Sequence, residues 1–216
     1  SVIILDRPNP MGRTMYGPKK ELFNFIGLHP IPIRHGMTIG ELCYMINNEG
    51  WLNNKIKDLK VIKMRNFEKI SDFNDWFPPS PNILDLKTAF IYNGTCLFEG
   101  TNLSEGRGTS SPFRYIGAPW INANKLIDYV NNSNLKKYSS KIKKIEFMPK
   151  SNLGAKNPKY ENQICYGISI DMDRSLEPIE ISLYLLEYFY NHYEEFLFNE
   201  DFFDILYGNS DFRLCL

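Results

Sequence analysis

The sequence predicts a mixed fold of the α/β or α+β class, in which strands and helices alternate along the chain. Short continuous apolar runs, typical of strands, recur between segments whose apolar residues are spaced as in amphipathic helices. The chain has 216 residues, of which 43% are hydrophobic and 14% aromatic, so it can bury a sizeable core. No repeat, linker or low-complexity segment interrupts the alternation.

Composition excludes several classes of function. The 25 basic and 25 acidic residues give a formal net charge of zero, which argues against a nucleic-acid partner. The four cysteines and three histidines show no metal-ligand or redox spacing, so no metal site is expected. No stretch reaches the ~18 apolar residues of a membrane-spanning helix, so no membrane span is expected.

The first element is predicted to be a buried, parallel strand over residues 2–5. It ends in Asp6-Arg-Pro-Asn-Pro10, where two prolines stop the strand and stiffen the turn. A polar loop after a strand is where open α/β sheets place ligands, so Asp6, Arg7 and Asn9 are candidate binding residues. The alternative is a salt-bridged turn without a ligand.

A helix is predicted to begin near Thr38, because four apolar residues then follow at helical spacing: Ile39, Leu42, Cys43 and Ile46. Thr38 and Glu41 form a T-x-x-E capping box, which is the structural alternative to a catalytic role for Glu41. His35 comes just before the helix N-terminus, where backbone N–H groups can hold an anion. It either contacts a ligand or is a buried, hydrogen-bonded residue.

A strand is predicted over 59–64 and a short helix over 84–92. Between them, Pro78-Pro-Ser-Pro-Asn82 is a rigid turn that fixes the backbone of Asn82. Asn82 is therefore either a ligand contact or the side chain of an Asx turn or helix cap.

Segment 99–113 is polar, with two acids, an arginine, an asparagine, five hydroxyl groups and three glycines. Glycines permit tight turns and close approach to a ligand, and the polar groups offer directional hydrogen bonds. We expect this loop to line a polar-ligand site, with a sugar as the favoured ligand, rather than to form core. Its candidate residues are Glu99, Asn102, Ser104, Glu105, Arg107 and Thr109.

After this loop the sequence predicts four regular elements and a helix at the end. They are a helix over 122–130 capped by Asn122, strands over 144–148 and 165–171, a helix over 179–195, and a short helix over 202–207 that stops at Gly208. Residues 150–163 are predicted to be loop. Trp120 is either a core residue or a platform on which a sugar ring stacks.

Five ordered motifs together resemble the NamZ family of exo-β-N-acetylmuramidases, and the resemblance extends through essentially the whole chain. The motifs are Asp6-Arg-Pro-Asn-Pro10, His35-Gly-Met-Thr-Ile-Gly-Glu41, Pro79-Ser-Pro-Asn82, Glu99-Gly-Thr-Asn-Leu-Ser-Glu-Gly-Arg-Gly-Thr109 with Pro112-Phe113, and Gly117-Ala-Pro-Trp120.

The resemblance implies a peptidoglycan-directed glycoside hydrolase that releases N-acetylmuramic acid from non-reducing ends of peptidoglycan fragments and muropeptides. It implies no cofactor, and an exported or periplasmic location. It also implies a Rossmann-like subdomain and a second α/β subdomain with a cleft between them. On this basis 1–216 is one family region, with 1–35 a remnant of the first subdomain and 36–216 the second.

Two departures from the family pattern bear on activity. Family members are about twice as long, so we expect this chain to lack an N-terminal portion with a Pro-Glu-His-Gly motif and the extreme C-terminus. Many members also carry an acid where this chain has Tyr16. The fragment alone is therefore expected to be poorly active or inactive, and a non-catalytic muropeptide-binding protein is the alternative. An unrelated small-molecule binder or transferase of α/β type is the third hypothesis.

Glycoside hydrolysis usually needs two carboxyl groups that flank the scissile bond. The candidates for these roles are Glu105, Glu99 and Glu41, although each can instead be a hydrogen-bond acceptor for sugar hydroxyls or backbone N–H groups. Muramic acid differs from glucosamine by a lactyl carboxylate, which a guanidinium can bind in bidentate fashion. Arg107 is the first candidate for that contact and Arg7 the second. The alternative for Arg107 is an ion pair with Glu99 or Glu105 that only shapes the loop.

Overall fold

The computed structural model describes residues 1–65, 77–171 and 175–216, and its chain divides into two compact units, Ser1–Trp76 and Phe77–Leu216. Both contain helices and strands, which confirms the mixed α/β class. The division lies later in the chain than the boundary near residue 35 expected from the sequence. The reason is that the strand and helix that follow residue 35 pair with or pack on the first strand.

In its described residues, 1–65, the first unit contains two small sheets and one α-helix. Strand β1 (Val2–Leu5) pairs in parallel with β4 (Leu59–Ile62), and β2 (Tyr16–Lys19) pairs antiparallel with β3 (Pro32–Arg34). Helix α1 (Ile39–Asn48) contacts both strands of the parallel pair. A Rossmann-like identity for this unit stays a prediction.

Strand β1 differs from its prediction in one respect. Its parallel pairing is confirmed, but the prediction that it is buried is wrong, since Ile3 and Leu5 are each 61% exposed. The reason is that β1 pairs with β4 alone in the described part of the chain, so its outward side chains are not covered.

The second unit contains a three-stranded antiparallel sheet, on which α3 packs, together with further helices. The strands β5 (Tyr115–Ala118), β6 (Ile142–Phe147) and β7 (Cys165–Ile170) are ordered β5-β7-β6. The helices are α2 (Leu86–Thr95), α3 (Ala123–Asn132), α4 (Pro178–His192), α5 (Glu200–Tyr207) and α6 (Asp211–Leu214). Two 3-10 helices cover Cys96–Gly100 and Asn134–Lys141.

Helix α2 and helix α4 cross very closely at Gly94. A Cβ atom at this position would overlap the backbone carbonyl of Pro178, so the crossing requires glycine. Phe98, in the 3-10 helix that continues α2, is fully buried together with Phe189 of α4 and Phe203 of α5. This aromatic core supports the segment that begins at Glu99.

The sequence located most elements to within a few residues. Asn122 caps α3 by accepting from the N–H groups of Asn124 and Lys125, as predicted. Gly208 ends α5 in the left-handed region with φ 111°, also as predicted. Helix α2 begins at Leu86 behind the N-cap Asp85, two residues later than expected. In the described part of the chain, no helix is long and apolar enough to span a membrane.

Candidate active site

A buried carboxylate, Glu105, is the centre of the candidate active site in the second unit. The residue is only 2% exposed. Its Oε1 accepts a hydrogen bond of 2.6 Å from Nε of Arg107, and its Oε2 lies 3.0 Å from Nζ of Lys159. Two cations therefore compensate one carboxylate that has almost no contact with solvent.

Lys159 reaches this carboxylate from the loop between β6 and β7. Its ammonium donates to the carbonyl oxygens of Phe98, Glu99 and Leu103 at 2.9, 3.3 and 3.0 Å. These three acceptors use its three protons, so the contact with Glu105 Oε2 is ionic and no well-directed hydrogen bond reaches that oxygen. Burial lowers the pKa of Lys159, and the Glu105 carboxylate opposes that shift.

Glu99 is the second carboxyl group of the site. Its Oε2 lies 3.3 Å from an Nη atom of Arg107, so one guanidinium joins both acids. Burial raises the pKa of Glu99; the Glu105 carboxylate raises it further, while Arg107 and Lys159 oppose the shift. Glu99 is thereby biased towards the protonated form, in which a carboxyl group can donate a proton.

Arg107 is fixed between the acids and an aromatic ring. Burial alone would lower its pKa, but the carboxylates of Glu105 and Glu99 raise the pKa above its ordinary value. The guanidinium lies 5.9 Å from the centroid of the Phe113 ring, which packs edge-on against Tyr92 at 4.7 Å. Burial, followed by the neighbouring Cys96 and Glu99, raises the pKa of Tyr92 and keeps its phenol protonated.

Backbone strain accompanies this arrangement at Phe113. Its φ is 61°, in the left-handed region that a bulky residue rarely adopts and that costs on the order of 1 kcal/mol or more. The Phe113 N–H donates to the carbonyl of Glu105 at 2.6 Å, which closes the loop. Gly106 has φ 75°, and a Cβ atom at this position would clash with the Tyr115 carbonyl oxygen at 2.9 Å, so the loop requires glycine here. The loop therefore holds a strained conformation that presents Arg107.

The expectation that segment 99–113 contributes nothing to the core is wrong. Thr101, Leu103 and Ser104 are 4%, 0% and 1% exposed. The segment can be buried because its polar groups bind each other, its own backbone and Lys159. Its exposed side is narrow and includes the 35%-exposed Arg107 side chain.

Three predicted ligand contacts of this segment hold the backbone in place. Asn102 donates to the carbonyl of Glu195 at 2.7 Å and accepts from the N–H of Leu197 at 3.0 Å. Ser104 Oγ accepts from the N–H of Gly106 at 3.3 Å. Thr109 Oγ1 donates to the Gly106 carbonyl at 2.6 Å. A direct role of these residues in ligand binding stays a prediction.

Asn82 likewise has a structural partner, since its Nδ2 donates to the carbonyl of Gly154 at 2.6 Å. The helix-cap alternative for Asn82 is not observed, because Asp85 caps α2. Asn82 therefore ties the proline-rich turn to the loop that carries Lys159.

In the first unit, Asp6 and Asn9 organise the approach to α1. Asp6 is 4% exposed; its Oδ1 accepts from the N–H of Gly40 at 2.8 Å and its Oδ2 from the hydroxyl of Thr38 at 3.1 Å. Asn9 donates to the carbonyl of Met37 at 3.0 Å. These contacts are hydrogen bonds to α1 and the segment before it rather than the salt bridge of the structural alternative, and a ligand role for Asp6 and Asn9 stays a prediction.

The capping box predicted for α1 is confirmed. Glu41 N–H donates to Thr38 Oγ1 at 3.1 Å and Thr38 N–H donates to Glu41 Oε2 at 2.9 Å, while Oε1 of Glu41 pairs with Arg13. Arg7 is exposed, and its guanidinium donates to the neighbouring carbonyl of Asp6. Catalysis by Glu41 and carboxylate recognition by Arg7 stay predictions.

His35 is the candidate of the first unit with a ring nitrogen still available. Its Nδ1 accepts from the N–H of Met37 at 3.2 Å, so a neutral ring carries its proton on Nε2. Burial lowers the pKa of His35, which favours that neutral form. His35 can therefore donate one hydrogen bond from Nε2.

The structure thus brings together Glu99, Glu105 and Arg107 and adds two residues that sequence reasoning missed, Lys159 and Tyr92. Lys159 lies in a polar loop without a recognisable pattern, so nothing local indicated its burial. Tyr92 lies within helix α2, where an aromatic residue is usually interpreted as part of the hydrophobic core. Among the described residues, no group of three or more His, Cys, Asp and Glu side chains is arranged to hold a metal ion.

Two family models match this chain in succession. The model for the N-terminal part of the exo-β-N-acetylmuramidase NamZ matches residues 1–87, and that for its C-terminal part matches residues 90–216. The peptidoglycan β-N-acetylmuramidase NamZ of Bacillus subtilis (strain 168) is 36% identical over 223 residues, which cover 98% of this chain and 51% of that protein. The chain thus spans about half the length of the curated relative it matches.

Two solved structures are also similar to this chain. Two crystal structures of DUF1343 family proteins from Bacteroides fragilis NCTC 9343 match 98% of this chain. One has a TM-score of 0.73 at 34% identity over 56% of its length, and the other 0.78 at 27% identity over 57%. The resemblance read from the five motifs is confirmed: this chain belongs to the NamZ exo-β-N-acetylmuramidase family.

Proposed function

We propose that the protein containing this chain is a glycoside hydrolase that releases N-acetylmuramic acid from the non-reducing ends of peptidoglycan chains and muropeptides. Family membership and the named activity of the Bacillus subtilis relative support the substrate class. One observation of the site carries the proposal: Glu99 and Glu105 share the guanidinium of Arg107, and burial raises the pKa of Glu99. Because peptidoglycan lies outside the cytoplasmic membrane, we propose that the protein acts after export.

The two acids have different roles in this proposal. Glu99 retains a proton to higher pH than an exposed glutamate and donates it to the oxygen of the leaving sugar. Glu105, compensated by Arg107 and Lys159, supplies negative charge next to the positive charge that develops on the sugar ring as the glycosidic bond breaks. A water molecule then adds to the anomeric carbon and loses a proton, which completes the hydrolysis. Two carboxyl groups in distinct environments are the usual requirement of glycoside hydrolysis.

Arg107 also supports recognition of muramic acid. Its Nε pairs with Glu105 and one Nη with Glu99, whereas its other Nη has no hydrogen-bond partner among the described residues. That nitrogen can donate to the lactyl carboxylate, the group that distinguishes muramic acid from glucosamine. The ion-pair alternative and carboxylate recognition are therefore compatible in one side chain.

The experiment is release of N-acetylmuramic acid from a chromogenic muramide by the full-length protein. We expect Glu99→Gln and Glu105→Gln each to reduce kcat by at least about a hundredfold. Glu194→Gln, at an exposed carboxylate after α4, is the matched control and should leave kcat unchanged. A folded full-length protein that releases no N-acetylmuramic acid would contradict the proposal.

A second candidate function is muropeptide binding without turnover. It is favoured by the pairing of both acids with Arg107, and of Glu105 also with Lys159, because carboxylates held in ion pairs suit recognition as well as catalysis. Calorimetric titration with a muropeptide separates the two functions: heat of binding without released sugar supports the second, and turnover excludes it.

A further inference from the structure

A separate groove of about 530 Å³ opens in the second unit between the first turn of α3 and the strands β6 and β7. Its walls are residues 119–124 before and within α3, residues 144–146 of β6, and Tyr166 of β7. None of the residues of the carboxylate cluster, Glu99, Glu105, Arg107 and Lys159, lines it. The volume is that of a small-molecule site.

Two aromatic side chains give the groove its apolar surfaces. Trp120 is half-buried, and its Nε1–H donates to the hydroxyl of Tyr160 at 3.1 Å, which fixes the orientation of the indole. Tyr166 is 39% exposed on the central strand, directly opposite Glu146 of β6. An aromatic ring that is held in place and left partly exposed is a surface for the apolar face of a ligand.

The polar groups of the groove carry balanced charge. Lys144 donates to Oδ1 of Asn124 at 2.9 Å, so its ammonium is tied across the groove from β6 to α3. The carboxylate of Glu146 has no hydrogen-bond or ion-pair partner in the described part of the chain. One cation and one anion favour a neutral ligand, and free carboxylate oxygens favour one that is rich in hydroxyl donors.

We infer that this groove is a second carbohydrate site, which binds an uncharged amino-sugar unit against Trp120 and Tyr166 with its hydroxyl groups donating to Glu146. Aromatic surfaces for the ring and a carboxylate that accepts from paired hydroxyl groups together fit a pyranose. The inference rests on the proposed function only for the identity of the sugar, an N-acetylated hexosamine of the glycan.

One loop joins this groove to the carboxylate cluster. Tyr160, which accepts from Trp120, directly follows Lys159, whose ammonium lies 3.0 Å from Glu105. The backbone that fixes the indole therefore also fixes the cation beside the buried acid. The loop that positions Trp120 in the groove therefore also positions Lys159 beside the candidate catalytic residues.

The test is calorimetric titration of the full-length protein with N,N′-diacetylchitobiose, a neutral disaccharide without a lactyl group. We expect Glu146→Gln and Trp120→Leu each to weaken its affinity by about tenfold or more. Glu194→Gln is the control and should bind as the wild type does. Because Glu146 is exposed, its substitution is not expected to impair folding, which circular dichroism can verify.

Three outcomes would overturn the inference. They are no binding to the folded protein, unchanged affinity in both groove variants, and loss of binding in Arg107→Ala with wild-type affinity in Glu146→Gln. The last outcome places the disaccharide at the carboxylate cluster. If the protein releases no muramic acid but disaccharide binding still depends on Glu146 and Trp120, the proposed hydrolysis is contradicted and the inference that the groove binds a sugar is supported.

Discussion

The ammonium of Lys159 lies 3.0 Å from Oε2 of Glu105, a residue that is 2% exposed, and it donates at the same time to three backbone carbonyls. Lys159 therefore makes an ion pair with Glu105 and also holds the surrounding backbone in place, because those carbonyls belong to the stretch of chain that carries Glu99 and Glu105. Charge compensation and loop geometry therefore depend on one side chain.

Lys159→Met should lower the free energy of unfolding by about 3 kcal/mol, since it removes one of two cations from a buried carboxylate. Urea denaturation measures the loss. Lys156→Met, at an exposed lysine of the same loop, should change stability by no more than about 0.5 kcal/mol.

The double variant Lys159→Met/Glu105→Gln provides the sharper comparison. Its loss of stability should be smaller than the sum of the two single losses, because the carboxylate left with one cation in the first variant is then absent. Strict additivity would show that the two charges do not interact.

Glu99→Gln should remove a pH dependence of stability. Because burial raises the pKa of Glu99 above its ordinary value near 4.5, the native state keeps a proton that the unfolded chain releases. The free energy of unfolding of the wild type therefore falls as pH rises from the unfolded-state pKa to the native one, and Glu99 contributes nothing further above that window. Urea denaturation at a series of pH values measures the difference between the two proteins. A difference that is constant across the acid range would refute the assignment.

Arg107→Lys should reduce the preference for muramic acid over glucosamine by about tenfold. The planar guanidinium of arginine can contact both acids and a lactyl carboxylate at once, and the ammonium of lysine cannot. The measurement compares affinities for N-acetylmuramic acid and N-acetylglucosamine in the full-length protein. Arg114→Lys, at the guanidinium 3.0 Å from Asp171, is the control. An equal loss of affinity for both sugars would mean that Arg107 only shapes the loop.

Thr38→Ala should lower the free energy of unfolding by about 1 kcal/mol or more, since Thr38 caps α1 and also donates to the buried carboxylate of Asp6. Thr38→Ser keeps the hydroxyl and should restore most of the loss, while Thr14→Ala, at an exposed threonine, serves as control. Urea denaturation followed by circular dichroism measures all three. Equal losses in the serine and alanine variants would exclude the capping contact as the cause.

Local patterns could be predicted from the sequence, and contacts distant in sequence could not. The Thr38 capping box, the Asn122 cap and the Gly208 stop follow from residues within one helical turn, so spacing alone located them. The burial of Glu105 depends on Lys159, which arrives from another part of the chain, and no pattern in either segment signals that meeting.

The contrast between local patterns and distant contacts also explains which candidate site residues could be predicted from the sequence. The ion pair of Arg107 with Glu99 or Glu105 was one alternative that the sequence left open, and the structure contains both pairs. Composition did not separate these three residues from Asn102, Ser104 and Thr109, whose side chains complete backbone hydrogen bonds. A polar side chain in a glycine-rich loop can serve the backbone or a ligand, and only the position of the acceptor distinguishes the two.

The three carbonyls around Lys159 also constrain how this sequence can change. A substitution of Glu105 alone leaves a cation enclosed by backbone oxygens, and a substitution of Lys159 alone leaves a carboxylate without half of its compensation. Among relatives, these two positions should therefore vary together, as a charged pair or as an uncharged one. An uncharged pair would identify a relative that retains the loop conformation but lacks the carboxylate proposed for glycoside hydrolysis.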